Sequence, residues 1–237
     1  LSVRELAGTV PHPERVIGLH FFNPVHRMSL VEVIRLPDTH ADVVATAHGL
    51  VQRIGKVPVV VNDSPGFVVN RVLVPYLMEA VSLFERGHDP VTLDDAMLDF
   101  GMPMGPMRLL DEIGLDVAAH VARTLGVSSQ VLDDMVHAGW LGRKAGRGFY
   151  VHAGQRSAVN GQALALRAVG SAPLLSMADI EERLARMISS EAMLVLKEKV
   201  AQSASDVDLA MVLGTGYAPF RGGPLAYAAC MEELRNE

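Results

Sequence analysis

Gly18-Leu19-His20-Phe21-Phe22-Asn23-Pro24-Val25, followed by Leu30-Val31-Glu32-Val33-Ile34, is the stretch that decides the fold. Both runs are rich in branched and aromatic residues and predict short strands over 16–22 and 30–36, separated by Pro24 and the polar residues after it. Each run carries one ionisable side chain in an apolar setting. A histidine backed by a carboxylate is a general base with an orienting partner, because the carboxylate fixes the tautomer and favours the imidazolium that forms. Burying Glu32 unpaired between Val31 and Val33 is costly, which makes a pairing with His20 attractive. Spacing alone equally allows a core histidine and a solitary strand carboxylate.

Outward from these strands, Pro37-Asp38-Thr39 predicts a helix start with Thr39 or Asp38 as cap. Val43, Val44, Ala47, Leu50, Val51 and Ile54 form its apolar stripe at helical period. Gly55 ends that helix, and 56–61 predicts another strand. Strand, helix and strand at this spacing form a βαβ unit with parallel pairing. Past Asp63-Ser64-Pro65-Gly66 the pattern turns helical, with helices expected over 67–86, 92–100, 105–113, 116–125 and 128–138. Residues 139–150 read as a glycine-rich positive loop and 153–173 as a linker. A long helix to about 201 and another over 205–213 follow. An internal echo is present. Glu79-Ala80, Asp95-Ala96-Met97 and Gly105-Pro106 return in order as Glu191-Ala192, Leu209-Ala210-Met211 and Gly223-Pro224.

The formal net charge of -6 argues against a nucleic-acid partner, which requires a basic face. No apolar run reaches the length of a membrane span. The single cysteine, Cys230, excludes an internal disulfide and suits a reducing compartment. Nine histidines form no HExxH and have no cysteine pairs beside them, so no metal is expected. Asn70, in the first turns of a helix, can donate from its amide to a substrate carbonyl or lie on the helix surface. Arg143, Lys144 and Arg147 among Gly142, Gly146 and Gly148 suit a phosphate, or form a solvated turn. No GxGxxG occurs anywhere in the 237 residues.

Five strings in order and spacing resemble the L-3-hydroxyacyl-CoA dehydrogenases. They are His20-Phe21-Phe22-Asn23-Pro24-Val25, Leu30-Val31-Glu32-Val33, Asp63-Ser64-Pro65-Gly66-Phe67-Val68-Val69-Asn70-Arg71, Gly101-Met102-Pro103-Met104-Gly105-Pro106 and Gly142-Arg143-Lys144-Ala145-Gly146-Arg147-Gly148-Phe149-Tyr150. The segment Asp206 to Leu213 with Gly216-Tyr217-Ala218-Pro219-Phe220-Arg221-Gly222-Gly223-Pro224 is similar to the C-terminal part of the multifunctional fatty-acid oxidation α subunit. The resemblance implies that His20 is the catalytic base, Glu32 its partner, and Asn70 a substrate-holding residue. It places Asn23 near the nicotinamide of NAD, Lys144 at the cofactor phosphates and Tyr227 against acyl-CoA.

By the same resemblance the fold is mainly α with a small α/β part. The expected layout is a Rossmann remnant over 1–62, a first helical domain of the 6-phosphogluconate-dehydrogenase C-terminal type over 63–152, a linker over 153–174 and a second, incomplete helical repeat over 175–237. The activity implied is NAD-dependent oxidation of (3S)-3-hydroxyacyl-CoA in β-oxidation, in a cytoplasmic bacterial-type protein. An acyl-CoA substrate, a thiolase β subunit and a homo-oligomer are the implied partners. With no glycine-rich βα turn, and with both chain ends looking cut, the expectation is a fragment of a multifunctional enzyme, inactive alone because its dinucleotide-binding motif is missing. Two alternatives stand beside it: a non-catalytic acyl-CoA-binding or oligomerisation module, and a 3-hydroxybutyryl-CoA dehydrogenase.

Overall fold

The computed structural model describes residues 2–154, 156–167 and 173–236. In chain order the elements are α1 (Val3–Ala7), β1 (Gly18–Phe21), β2 (Leu30–Arg35), α2 (Ala41–Arg53), β3 (Val57–Asn62), α3 (Val69–Glu85), α4 (Pro90–Phe100), α5 (Pro106–Ile113), α6 (Leu115–Thr124), α7 (Gln130–His137), β4 (Tyr150–Ala153), β5 (Arg156–Val159), α8 (Gly161–Leu164), α9 (Met177–Lys197), α10 (Ala204–Thr215) and α11 (Pro224–Asn236). The protein is mainly helical, with a small mixed sheet near its N-terminus. It divides into two compact units, residues 1–72 with 189–237, and residues 73–188.

The first unit is organised by a three-stranded sheet in the order β1-β2-β3. β2 lies between an antiparallel β1 and a parallel β3, and α2 makes the crossover between the two parallel strands. Leu30 to Ile34 are all buried, Glu32 included, which explains why the strand is apolar on both faces apart from that one carboxylate: a central strand covered on both faces has no solvent side to mark with polar residues. Val31 and Val33 pack with Ala47 and Val51 of α2, and Ile17, Leu19, Phe21 and Val60 close over them. The expected stripe of α2 is therefore right at its centre, but Leu50 and Ile54 are exposed. The expected cap is also displaced. Thr39 Oγ1 accepts from Leu36 N and donates to Val16 O, tying the end of β2 to the lead into β1, and His40 takes the cap position without a side-chain bond.

In the second unit, β4 and β5 form an antiparallel hairpin. The expected linker over 153–174 thus contains a paired strand, Arg156–Val159, and the short helix Gly161–Leu164; its residues 155 and 168–172 lie outside the described residues. Short polar segments such as these lack the periodicity that would announce them, and pairing with β4 supplies what propensity does not.

Two buried carboxylates hold this unit together. Asp94 of α4 accepts from Met107 N (2.8 Å) and Arg108 N (3.3 Å), the open N–H groups at the start of α5, and from the Tyr150 hydroxyl (2.5 Å). Asp111 accepts from Phe149 N, Tyr150 N and His152 Nε2. The approach is close enough to require glycine: a Cβ on Gly105 would lie 2.3 Å from Asp94, and one on Gly148 2.0 Å from Asp111.

The internal echo has a structural counterpart. In the first unit, Asp208 of α10 accepts from Leu225 N and Ala226 N at the start of α11, and a Cβ on Gly223 would lie 2.3 Å from Asp208. α4 ends at Gly101 and α10 at Gly216, both left-handed. The ion pairs Arg71–Glu191 and Arg183–Glu79 also join corresponding positions of the two sets.

Two stability outcomes follow from these contacts. Gly105→Ala should destabilise the protein by about 2 kcal/mol or more, because the added methyl displaces Asp94 from two buried N–H groups. Gly49→Ala, in α2 with nothing within 4 Å of its added methyl, should stabilise by ~0.5–1 kcal/mol. Urea unfolding of both variants reads the opposite signs. Burial pushes the Asp94 carboxyl from 3.8 up to about 6, against the lowering effects of the Tyr150 hydroxyl, the two backbone N–H groups and the Arg108 guanidinium. The folded state therefore holds this proton more tightly than the unfolded chain does. The stability it contributes is complete below pH 4 and is lost as pH rises through about 6. Asp94→Asn should remove a decline of about 2–3 kcal/mol over that window, measured as the difference between variant and wild-type unfolding at each pH.

Candidate functional site

Antiparallel pairing of β1 with β2 sets His20 directly opposite Glu32. Directly opposed residues share a face of the sheet, so both side chains point the same way. Nδ1 of His20 lies 2.7 Å from Oε2 of Glu32. The imidazole is about one-third exposed and the carboxylate wholly buried. The pairing expected from sequence is present.

Glu32 is held from a second direction. Its Oε1 accepts from Val68 N (3.0 Å) and Val69 N (3.1 Å), at the start of α3. A helix N-terminus presents unpaired N–H groups, and the carboxylate oxygen satisfies two of them. An acceptor-only carboxylate facing Nδ1 requires Nδ1 to carry the proton, which leaves Nε2 with the lone pair. The geometry therefore puts Nδ1 against Glu32 and turns Nε2 away from it.

The chain reaches the start of α3 through Gly66 (φ 77°) and Phe67 (φ 49°). A left-handed conformation is costly for a residue such as Phe67 by about 1 kcal/mol. Its ring lies 5.5 Å from that of His20, and the Phe22 ring lies 4.6 Å away. Neither phenylalanine, nor the two N–H groups on Glu32, was identified from sequence as part of the site. The Gly66 turn before an apolar helix marks a helix start, but nothing in the local sequence says which distant carboxylate will meet it.

Asn23 is exposed in the turn that follows β1, and Asn70 is half-buried in the first turn of α3, its amide without a hydrogen bond among the described residues. Tyr227 lies in α11, with the Arg221 guanidinium 5.1 Å from its ring. The positive loop of the second unit is exposed at Arg143 and Lys144, but its charges are committed. Lys144 Nζ sits 2.6 and 2.7 Å from the Asp116 oxygens and holds that carboxyl below its usual range. Arg143 pairs with Glu112, and Arg147 donates to Gln162. Among the described residues, no group of three or more His, Cys, Asp or Glu side chains could hold a metal ion, and no helix is long and apolar enough to cross a membrane.

Residues 1–64 match the NAD binding domain of 3-hydroxyacyl-CoA dehydrogenases, and residues 66–152 match the C-terminal domain of the same enzymes. Among solved structures, the chain is similar to 3-hydroxybutyryl-CoA dehydrogenase from Escherichia coli K12, at 30% identity and a TM-score of 0.81, over 98% of this chain and 66% of that one. It is also similar to (S)-3-hydroxybutyryl-CoA dehydrogenase PaaH1 from Ralstonia eutropha, at 40% identity and a TM-score of 0.63, over 65% of this chain and 58% of that one. The dehydrogenase part of multifunctional enzyme 1 from C. elegans matches at 27% identity and a TM-score of 0.66, over 91% of this chain and 52% of that one. The chain thus spans from about half to just under two thirds of the length of these structures.

Two expectations are corrected. The likeness to the multifunctional α subunit gives way to likeness to the 3-hydroxybutyryl-CoA dehydrogenases, whose Escherichia coli member aligns with almost the entire chain, second helical set included. A second helical set is therefore no mark of the multifunctional type. The dinucleotide-binding domain, expected to be missing, is represented by residues 1–64, so the expectation of an inactive chain for lack of it is overturned. A glycine-rich turn is one determinant of such a domain. The unit formed by β1, β2, α2 and β3 carries the match without it. The residues around His20 suit the nicotinamide end of NAD: a partly exposed imidazole, two flanking aromatic rings and the exposed amide of Asn23.

Because Glu32 satisfies two buried N–H groups as well as His20, Glu32→Ala should lower stability by about 3 kcal/mol or more. Glu32→Gln, which keeps an acceptor for Val68 N and Val69 N, should lose less than half as much. Denaturant midpoints of the two variants make the comparison.

Proposed function

The chain belongs to the 3-hydroxyacyl-CoA dehydrogenase family, and from that membership we propose that it serves the NAD-dependent oxidation of (3S)-3-hydroxyacyl-CoA to 3-oxoacyl-CoA, with 3-hydroxybutyryl-CoA as the substrate class. The observation that carries the proposal is the short contact between His20 and a buried Glu32 that is itself anchored on a helix N-terminus. The short-chain preference is supported by the likeness to the two bacterial 3-hydroxybutyryl-CoA dehydrogenases.

In this reading Nε2 of His20 takes the proton from the substrate's 3-hydroxyl. NAD, held with its nicotinamide end near Asn23, would supply the acceptor for the hydride from C3. Oε2 of Glu32 keeps the bond to Nδ1–H throughout and stabilises the imidazolium, an interaction strengthened by the low dielectric around a buried carboxylate. The N–H groups of Val68 and Val69 hold Glu32 in place through its other oxygen. Phe22 and Phe67 pack beside the imidazole in tilted contact and limit its freedom to reorient. Asn70 donates to the substrate near its thioester and hydroxyl, and Asn23 lies at the nicotinamide. Lys144 near the cofactor phosphates and Tyr227 near acyl-CoA complete the assignment. For Lys144 this requires exchange of its Asp116 partner for phosphate. We also take α9, α10 and α11 to be a second copy of α3, α4 and α5, on the strength of the matching Asp94 and Asp208 caps. The single cysteine suits a reducing cytoplasm.

Turnover is read as NADH formation from (3S)-3-hydroxybutyryl-CoA. His20→Gln should lower kcat by about 10²–10⁴, the usual contribution of a positioned base. Glu32→Gln should lower it over a similar range for a different reason. An amide facing Nδ1 donates to it, which moves the ring proton to Nε2 and removes the base. A rate within a few-fold of wild type in His20→Gln would end the assignment.

A further inference from the structure

Resting on the dehydrogenase reading, we propose that Lys56 is a positioning residue for the nicotinamide end of the site, acting through the turn that carries Phe22 and Asn23. The ammonium of Lys56 donates to two backbone carbonyls of that turn, Val25 O and Met28 O, each at 2.6 Å. Charge-assisted bonds of this length are about twice as strong as neutral ones. The base of the side chain is equally fixed: Lys56 N donates to Val51 O at the end of α2, and the next residue, Val57, donates to Ser29 O just before β2.

The turn needs such a clamp. Asn23 to Arg27 are exposed, and within the turn the Pro24 carbonyl already accepts from both Arg27 N and Met28 N. The carbonyls of Val25 and Met28 take the Lys56 ammonium. His20 and Glu32 are set by sheet register, but Phe22 and Asn23 lie beyond β1, where register no longer acts. Between the end of β1 and the first clamped carbonyl there are only Phe22, Asn23 and Pro24. Lys56 therefore determines where the Phe22 ring meets His20 and where the Asn23 amide is presented. Neither the strand ends nor the helix alone can do this.

The test compares wild type, Lys56→Met and Lys56→Arg in the full chain, by steady-state kinetics and by amide hydrogen exchange. Lys56→Met keeps the length of the side chain and removes the donor. It should raise KM for NAD about tenfold, as the loss of one good charge-assisted interaction would. KM for 3-hydroxybutyryl-CoA should stay within about twofold, and exchange at Arg27 and Met28 should quicken. Lys56→Arg, which can still reach two carbonyls, should restore KM for NAD. An unchanged KM for NAD, or a lower kcat with both KM values unchanged and no rescue by arginine, would mean that Lys56 only supports the fold. Unaltered exchange at Arg27 and Met28 would remove the clamp itself. Absence of NAD-dependent turnover in wild type would instead overturn the dehydrogenase reading, and the role assigned to Lys56 in the reaction with it.

Discussion

A single buried carboxylate, Glu32, connects the sheet, the first long helix and the basic imidazole. Its two oxygens are divided between tasks: one holds His20 across the strands, the other accepts the first N–H groups of α3. Each bond makes the other easier to sustain. The helix N-terminus compensates for burying the charge, and the charge then fixes the tautomer of the histidine. A carboxylate with only one of these partners would leave either two N–H groups or an anion unsatisfied in the core.

The same device recurs away from the site. Asp94 and Asp208 each accept from two adjacent N–H groups at a helix start, and each approaches a glycine that leaves no room for a side chain. Asp111 does so at the loop that leads into β4. This explains why a glycine-rich, positively charged segment is ordered: Gly148 is there for the close approach of Asp111, and Arg143, Lys144 and Arg147 are each engaged with neighbours. At Gly105, Gly148 and Gly223 the missing side chain makes room for a carboxylate.

Much of the fold was legible in order and type. The βαβ unit and the succession of helices follow from periodicity, because each element must bury one apolar face. Details that depend on distant partners were not. Thr39 has the chemistry of a cap, yet it bridges two strand ends. Leu50 and Ile54 fit the stripe of α2, yet lie past the edge of what the sheet covers. The hairpin partner Arg156–Val159 has no pattern of its own. At the site, His20 and Glu32 could be named from their setting and from resemblance, whereas Phe22, Phe67 and Lys56 could not. Each of these acts on a residue brought near by the turn of the chain, and no local motif encodes that proximity.

The sequence by itself determined most of the elements and their order, the 3-hydroxyacyl-CoA dehydrogenase family, and the two residues most suited to acid–base chemistry. These depend on local pattern and residue type, which a linear string records in full. Only the tertiary structure decided that Glu32 serves two masters at once, that the Lys144 ammonium already has a carboxylate beside it, and that one lysine ties down the turn bearing Asn23. Those outcomes depend on which donors and acceptors are left without water when the chain closes on itself, and that is settled by packing.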